Sequence, residues 1–268
     1  MEQYVRQLDD LRARIGEAGS LLVAFSGGVD SSFLAAVAHE VLGDRAVALT
    51  AASASHPARD MEDARGVAAA IGVRHVVVRS RELEDPRYAE NPRNRCFFCK
   101  SELFAICRRV ADEMGLARIA DGCTADDRTD FRPGRDAARE AAVGSPLDDV
   151  GMGKPAIRRL LAEVYRLPVA AKPASPCLAS RFPYGTAITE PRLRAVEAVE
   201  EAVRAAGVEV VRARFHGDVV RLEVEPASAP LLLADPGRAA IVAAARAAGF
   251  RFVTLDLEPF GSGRLNRP

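Results

Sequence analysis

Apolar residues recur near the start of the chain at Val5, Leu8, Leu11 and Ile15, a helical spacing interrupted by Glu2, Asp9 and Asp10. The period then changes. Residues 21–25, LLVAF, make an unbroken apolar run of strand length, followed by turn residues over 26–31. From Ser32 to Leu42 helical periodicity returns, and Gly43 stops the helix. AVALTA (46–51) predicts a second strand, and Pro57 suits the first position of a helix that runs to Ile71 before Gly72. VRHVVV (73–78) and ARIADG (117–122) predict two further strands, with a helix carrying CFFC between them. Buried strands alternating with helices point to an α/β fold with a parallel sheet.

From Ile188 the pattern differs. A helix over 191–206 precedes VEVVRARF and VVRLEVE, two alternating runs around His216-Gly217-Asp218 that predict a hairpin. Period two places Val211, Ala213 and Phe215 on one face with Val220, Leu222 and Val224, and Arg212, Arg214, Arg221 and Glu223 on the other. Without further information that polar face reads as solvated. A helix over 237–248, Gly249 beyond its end and the strand in FRFVTLDL complete a small α+β unit. The expected organisation is a domain over 1–187 and a smaller α+β domain over 188–268.

The chain has 268 residues, 49% hydrophobic and 28% charged, enough to bury a sizeable core. Lys plus Arg and Asp plus Glu are 37 each, so no global attraction to nucleic acid or an anionic membrane follows. No run approaches the ~18–20 apolar residues of a membrane span. An odd cysteine count, five, and no secretory signal in residues 1–18 argue against a disulfide scaffold. A cytoplasmic protein is expected.

The turn SGGVDSS, Ser26, Gly27, Gly28, Val29, Asp30, Ser31 and Ser32, carries the first chemistry. A strand, a Gly-Gly turn and a helix start bring backbone N–H groups, hydroxyls and the helix dipole to one anion site. Asp30 repels bare phosphate, so it is expected to orient the loop or hold Mg2+. The GK[ST] ending of a Walker loop and GxGxxG are both absent. The turn resembles the PP-loop of the ATP pyrophosphatases, also called adenine nucleotide alpha hydrolase-like, which split ATP into an adenylate and pyrophosphate.

NRCFFCKSELF places Cys96 and Cys99 at CxxC spacing. A redox dithiol lacks its thioredoxin-like context, a zinc site lacks a second pair, and a cubane cluster lacks a fourth thiolate. The residues alone leave all three readings open. Cys107 has the spacing of a core residue in the helix after CFFC, and Cys123, in DGCTADD (121–127), is expected to be structural although close to the nucleotide loop.

KPASPCLASRFPYGTAITE (172–190), with NRCFFCKSELF, DGCTADD, DFRPG (130–134), VRARFHGDVVRLEV (211–224) and GFRFVTLDLEPFGSG (249–263), resembles the LarE family of pyridinium-3,5-biscarboxylic acid mononucleotide sulfurtransferases. The resemblance implies adenylation of a pyridinium carboxylate and its conversion to a thiocarboxylate for nickel-pincer nucleotide biosynthesis. In the sacrificial form, the cysteine matching Cys177 gives up its own sulfur. A three-cysteine branch is instead understood to carry a 4Fe–4S cluster, implying Cys96, Cys99 and Cys177 as ligands and an external sulfide source. The cluster reading is the one adopted here, because an open iron position suits a sulfur carrier. For such a mechanism Arg181 is expected to stabilise the charge developing on oxygen, Ser180 to donate a hydrogen bond, and Glu200 to position substrate or metal. Arg212 and Arg214 are implied at the mononucleotide phosphate, with Glu223 beside them in the substrate-binding patch, and the assembly is implied to be a homo-oligomer, a hexamer. Ala171 stands where an acidic residue is usual, and the tail GSGRLN departs from the common form. Competing functions are tRNA thiolation, which wants a basic RNA surface; an ammonia-using ligase, which leaves CxxC without a role; and a non-catalytic ATP sensor or cluster carrier.

Overall fold

Strand-length apolar runs and amphipathic helices alternate as the sequence period requires, and the computed structural model describes residues 2–128 and 133–261. In chain order come α1 (Glu2–Glu17), β1 (Leu21–Ala24), α2 (Val29–Leu42), β2 (Ala46–Ala52), α3 (Ala58–Ile71), β3 (Arg74–Arg79) and the short α4 (Pro86–Ala89). Then follow α5 (Arg95–Glu113), β4 (Arg118–Ala120), α6 (Pro133–Glu140), the short α7 (Pro146–Asp149) and α8 (Lys154–Glu163). The remainder is α9 (Glu190–Ala205), β5 (Val211–His216), β6 (Val219–Val224), the short α10 (Ala229–Leu233), α11 (Gly237–Ala247) and β7 (Phe252–Leu255). The chain divides into two compact units, one of Met1–Ser53, Ala58–Glu82 and Asn94–Ser175, the other of Ala54–Pro57, Leu83–Arg93 and Pro176–Pro268.

The first unit is built on a parallel sheet in the order β3-β2-β1-β4. Leu21 of β1 pairs with Ala46 on one side and Arg118 on the other. Successive β1 residues face opposite ways. Leu21 and Val23 join a core with α1, α2, α3 and α8 residues, whereas Leu22 and Ala24 join another with Phe104 and Cys107 of α5 and Ala137 of α6. Both faces are therefore covered, which is why β1 reads as a continuous apolar run. Every residue of α2 from Ser31 to Ala38 is buried, the behaviour of a helix apolar on all sides. Burial of each Leu or Val side chain contributes roughly 1.5–3 kcal/mol. Strand order reverses between β1 and β4, and a crevice beyond the carboxyl ends of two such strands is where open α/β sheets bind ligands.

The second unit holds a three-stranded sheet, β5-β6-β7. The hairpin forms with Val211 opposite Val224 and Arg212 opposite Glu223, while β7 runs parallel to β6. Phe182 stacks on Phe215 at 5.1 Å, and Phe215 meets Phe250 at 5.8 Å.

Several expectations need adjusting. α2 begins at Val29 rather than Ser32, because Ser32 N–H already donates to Gly28 O at 2.9 Å and closes a helical turn over Asp30 and Ser31. α3 begins one residue after Pro57, at Ala58. β4 ends at Ala120, two residues early, because Asp121 turns away to pair with the 144–145 segment. The solvated reading of the arginine face does not hold: Arg212, Arg214 and Glu223 are buried.

Candidate functional site

The phosphate loop follows β1 directly. Gly27 takes φ +68°, and a Cβ there would lie 2.6 Å from Ala64 Cα of α3, so only glycine fits. Gly28 then caps α2 in extended conformation. The hydroxyls organise the turn. Ser26 N–H donates to Ser31 Oγ at 3.2 Å, the two Ser Oγ atoms lie 3.1 Å apart, and Ser31 Oγ donates to Gly28 O at 3.2 Å. Ser32 Oγ is buried with no hydrogen-bond partner among the described residues. An orphaned hydroxyl beside a helix start, where the first N–H groups lack intrahelical carbonyls, suits an oxyanion. Asp30 lies in the first turn of α2, half-buried.

Two neighbours brace this loop. Thr50 Oγ1 donates to Phe25 O at 2.8 Å and lies 2.8 Å from His75 Nε2. Thr50 has one proton to give, so His75 Nε2 must donate to it. Burial, aided by the charge of Arg65, lowers the His75 pKa and favours that neutral ring. On the other side, a Cβ on Gly122 would lie 3.0 Å from Ser31 N, so the loop after β4 is pressed against the start of α2. Asp121 in that loop accepts from Cys123 N–H and Sγ, both at 3.1 Å, and from Ser145 Oγ at 2.8 Å. Burial and the Asp121 charge push the Cys123 thiol up to about 12. The sequence signal for Asp121 was its place at the end of a strand next to Gly122. Asp127 accepts from Thr124 N–H at 3.0 Å and Oγ1 at 3.2 Å.

Cys96 and Cys99 occupy the start of α5, three residues apart and so on one helix face, Cys96 exposed and Cys99 half-buried. Cys107 is fully buried in the core of the same unit, as its spacing predicts, and burial pushes its thiol up to about 12. Cys177 belongs to the second unit and is partly exposed. Thiolates are the donors that hold iron–sulfur clusters, and three are one short of the usual four. Among the described residues, however, no three His, Cys, Asp or Glu side chains gather as a metal site.

In the second unit Arg181 is fully buried and shapes the loop that carries Cys177. Its Nε and Nη2 donate to Glu200 at 2.7 and 2.9 Å, and its Nη1 reaches Pro176 O at 2.8 Å, Ser180 Oγ at 2.9 Å and Cys177 O at 3.3 Å. Glu200, also fully buried, accepts in addition from Arg204 at 2.8 Å and from Ala213 N–H at 3.0 Å. Burial opposes its ionisation, but the Arg181 hydrogen bonds and charge outweigh it and lower its pKa. Asn91, buried, donates to Pro183 O at 2.8 Å and Thr186 O at 3.0 Å, fastening the far end of the same loop; nothing local in the sequence signalled it.

The arginine face is a buried layer. Arg214 donates to Ser180 O and to Glu223, each at 2.7 Å, while Arg221 pairs with Glu223 at 3.3 Å and with Asp256. Arg212 donates to Val211 O at 2.8 Å and stacks 4.9 Å over the Phe260 ring. Burial, with the nearby Arg181 charge, brings its pKa down to about 10. Ser180, Arg181, Glu200, Arg214 and Glu223 are thus joined in one hydrogen-bonded network, and Arg212 lies near enough to feel the charges of Arg181, Glu200 and Arg214.

The asparagine synthase family matches residues 9–118, a span that includes the phosphate loop. The chain is 33% identical over 257 residues to a pyridinium-3,5-bisthiocarboxylic acid mononucleotide synthase of Lactiplantibacillus plantarum, covering 96% of this chain and 92% of that protein. The chain belongs to that synthase's family. It is also 41% identical over 261 residues to an uncharacterized protein of Synechocystis sp., with 97% of each covered. A further relative, uncharacterized, from Methanocaldococcus jannaschii is 24% identical over 242 residues, 90% of this chain and 91% of that one. Membership in this synthase family and the asparagine synthase match support the use of ATP. No described helix is long and apolar enough to cross a membrane. Of the motifs quoted above, residues 129–132 of the DFRPG region and the tail from 262 lie outside the described residues.

Proposed function

We propose that the chain is an ATP-dependent sulfurtransferase that adenylates a carboxylate of pyridinium-3,5-biscarboxylic acid mononucleotide and converts it to a thiocarboxylate. The observation that carries the reading is the Gly27–Ser32 turn, wedged between Ala64 and Gly122 where strand order reverses. ATP lies with its phosphates on the loop amides and Ser hydroxyls, and Asp30 holds or orients Mg2+. The substrate carboxylate attacks the α-phosphorus, pyrophosphate leaves, and an acyl-adenylate remains as a strong electrophile. Arg212 and Arg214 receive the mononucleotide phosphate, and Glu223 aligns Arg214 for it. Ser180 contributes a hydroxyl there. Arg181 and Glu200 act as positioning residues, since their donors and acceptors are engaged with the loop and with each other.

A 4Fe–4S cluster on Cys96, Cys99 and Cys177 would supply an open iron position for sulfide from an external source. A second reading rests on Cys177 alone, which is partly exposed in a loop shaped by Arg181. Here the Cys177 thiolate attacks the acyl carbon and AMP leaves; Cα–H deprotonation then breaks the Cβ–S bond, giving the thiocarboxylate and dehydroalanine. Anaerobic iron and sulfide analysis of the wild type and of Cys96→Ala, Cys99→Ala and Cys177→Ala separates the two. The cluster reading expects each variant to lose iron and thiolation together, with substrate-dependent pyrophosphate release intact. Dehydroalanine at position 177 after one turnover, with Cys96→Ala still active, refutes it. We further propose a homo-oligomer, checked by light scattering.

A further inference from the structure

The segment that ends at Ser175 is fastened to the first unit more firmly than a connecting loop requires. Arg158 of α8 donates to Ala170 O and, at 2.9 Å, to Lys172 O. Lys172 Nζ then reaches Asp60 at 3.0 Å and Asp63 at 2.8 Å, both on α3. Ser175 Oγ donates to the second oxygen of Asp60 at 2.7 Å. The side chains of Lys172 and Asp60 are only 18% and 16% exposed, so this ion pair is shielded from water and salt. Asp60 therefore holds two points of one segment, three residues apart. The chain passes to the second unit directly afterwards, and Cys177 lies two residues beyond Ser175. One turn further along α3, at i+4, is Ala64, the residue against which Gly27 of the phosphate loop is pressed.

We propose that Asp60 is a positioning residue for sulfur transfer: with Lys172 and Ser175 it clamps the stem of the Cys177 loop to the helix that backs the phosphate loop. The inference rests on the sulfurtransferase reading. A clamp of this kind governs how the thiol is presented, not how ATP is bound, so its loss divides the two half-reactions. A misplacement of about 1 Å is enough to cost a transfer step orders of magnitude.

The test compares full-length wild type with Asp60→Ala, Asp60→Asn and Lys172→Met. Three quantities are read: substrate-dependent pyrophosphate release, thiocarboxylate formed, and the rate of Cys177 alkylation by iodoacetamide, mapped by mass spectrometry. In Asp60→Ala and Lys172→Met, thiocarboxylate formation falls roughly tenfold or more. Pyrophosphate release and its apparent KM for ATP stay within about twofold of wild type, and Cys177 alkylation accelerates at least about threefold as the stem loosens. Asp60→Asn, which keeps an acceptor for Ser175 but loses the ion pair, falls between. An unchanged alkylation rate overturns the inference, as does an equal fall in pyrophosphate release and thiocarboxylate, which marks Asp60 as part of the general scaffold. A wild type that releases pyrophosphate yet forms no thiocarboxylate overturns the sulfurtransferase reading instead, and the alkylation rates still decide on the clamp.

Discussion

Substituting Gly27 with alanine adds one methyl group, and the structure says what that methyl meets. Its backbone sits at φ +68°, a left-handed conformation that costs an alanine about 1–2 kcal/mol. The new Cβ would lie 2.6 Å from Ala64 Cα and 2.7 Å from Ala64 Cβ, where ordinary carbon contacts are ~3.5–4.0 Å. Those atoms belong to the body of α3 and cannot rotate aside, so the loop or the helix must move, at a cost of about 1–3 kcal/mol. Together Gly27→Ala is expected to destabilise by about 2–5 kcal/mol, a large share of the ~5–15 kcal/mol of a typical domain. Urea unfolding followed by circular dichroism measures it as a lower midpoint at constant slope. Pyrophosphate release should be lost even where the variant remains folded, because the amides on either side of residue 27 shift. Gly28→Ala is the control: its φ is −80°, and its nearest neighbour is the movable Ser26 hydroxyl at 3.3 Å, so stability should change by about 1 kcal/mol or less. A Gly27→Ala protein within about 0.5 kcal/mol of wild type would show that α3 does not press on the loop and would remove the steric argument for the turn.

The other predictions concern the buried charges and the thiols. Glu200→Gln leaves Arg181 buried without its counter-charge and should cost roughly 3–5 kcal/mol by urea unfolding. Because the folded pKa of Glu200 lies below its ordinary 4.5, the stabilisation is whole above pH 4.5 and is lost as the pH falls through that lower folded value. The stability gap between wild type and Glu200→Gln should therefore close only on acidification, and a gap that widens there contradicts the assignment. With thiols pushed up to about 12, Cys107 and Cys123 should resist iodoacetamide at pH 8 until the protein unfolds, while exposed Cys96 of cluster-free protein reacts at once; peptide mapping decides this. Arg212→Ala should weaken mononucleotide binding by roughly 1.5–3 kcal/mol with ATP affinity unchanged, read by calorimetry. Unchanged mononucleotide binding returns Arg212 to a purely structural role.

The parts of this architecture that are visible in the amino-acid sequence are those fixed by neighbours in the chain. LLVAF followed by Gly-Gly announces β1 and the phosphate loop because strand burial and turn chemistry both act within a few residues. Even so, periodicity starts α2 three residues late, at Ser32, since Asp30 and Ser31 read equally well as turn or as first helical turn. What settles it is one backbone hydrogen bond, Ser32 to Gly28. The Cys107 spacing was sufficient because a helix face facing a sheet has only one period to obey.

The arginine layer shows why the rest was hidden. Alternation assigned Arg212 and Arg214 to the correct face of β5, but alternation says only which residues share a face, not whether water reaches it. A guanidinium can be buried only where acceptors or ring faces meet it. For these residues they come from Ser180, Glu223 and Phe260, and for Arg221 from Asp256, groups spread over some eighty positions of sequence. The same holds for the loop that carries Cys177, whose shape depends on Glu200 through Arg181 and on Asn91 through three carbonyls. Each of those partners is an unremarkable polar residue in its own stretch of chain. Its role exists only once folding has removed the water that would otherwise satisfy the arginine, and a sequence read locally assumes that water is still there.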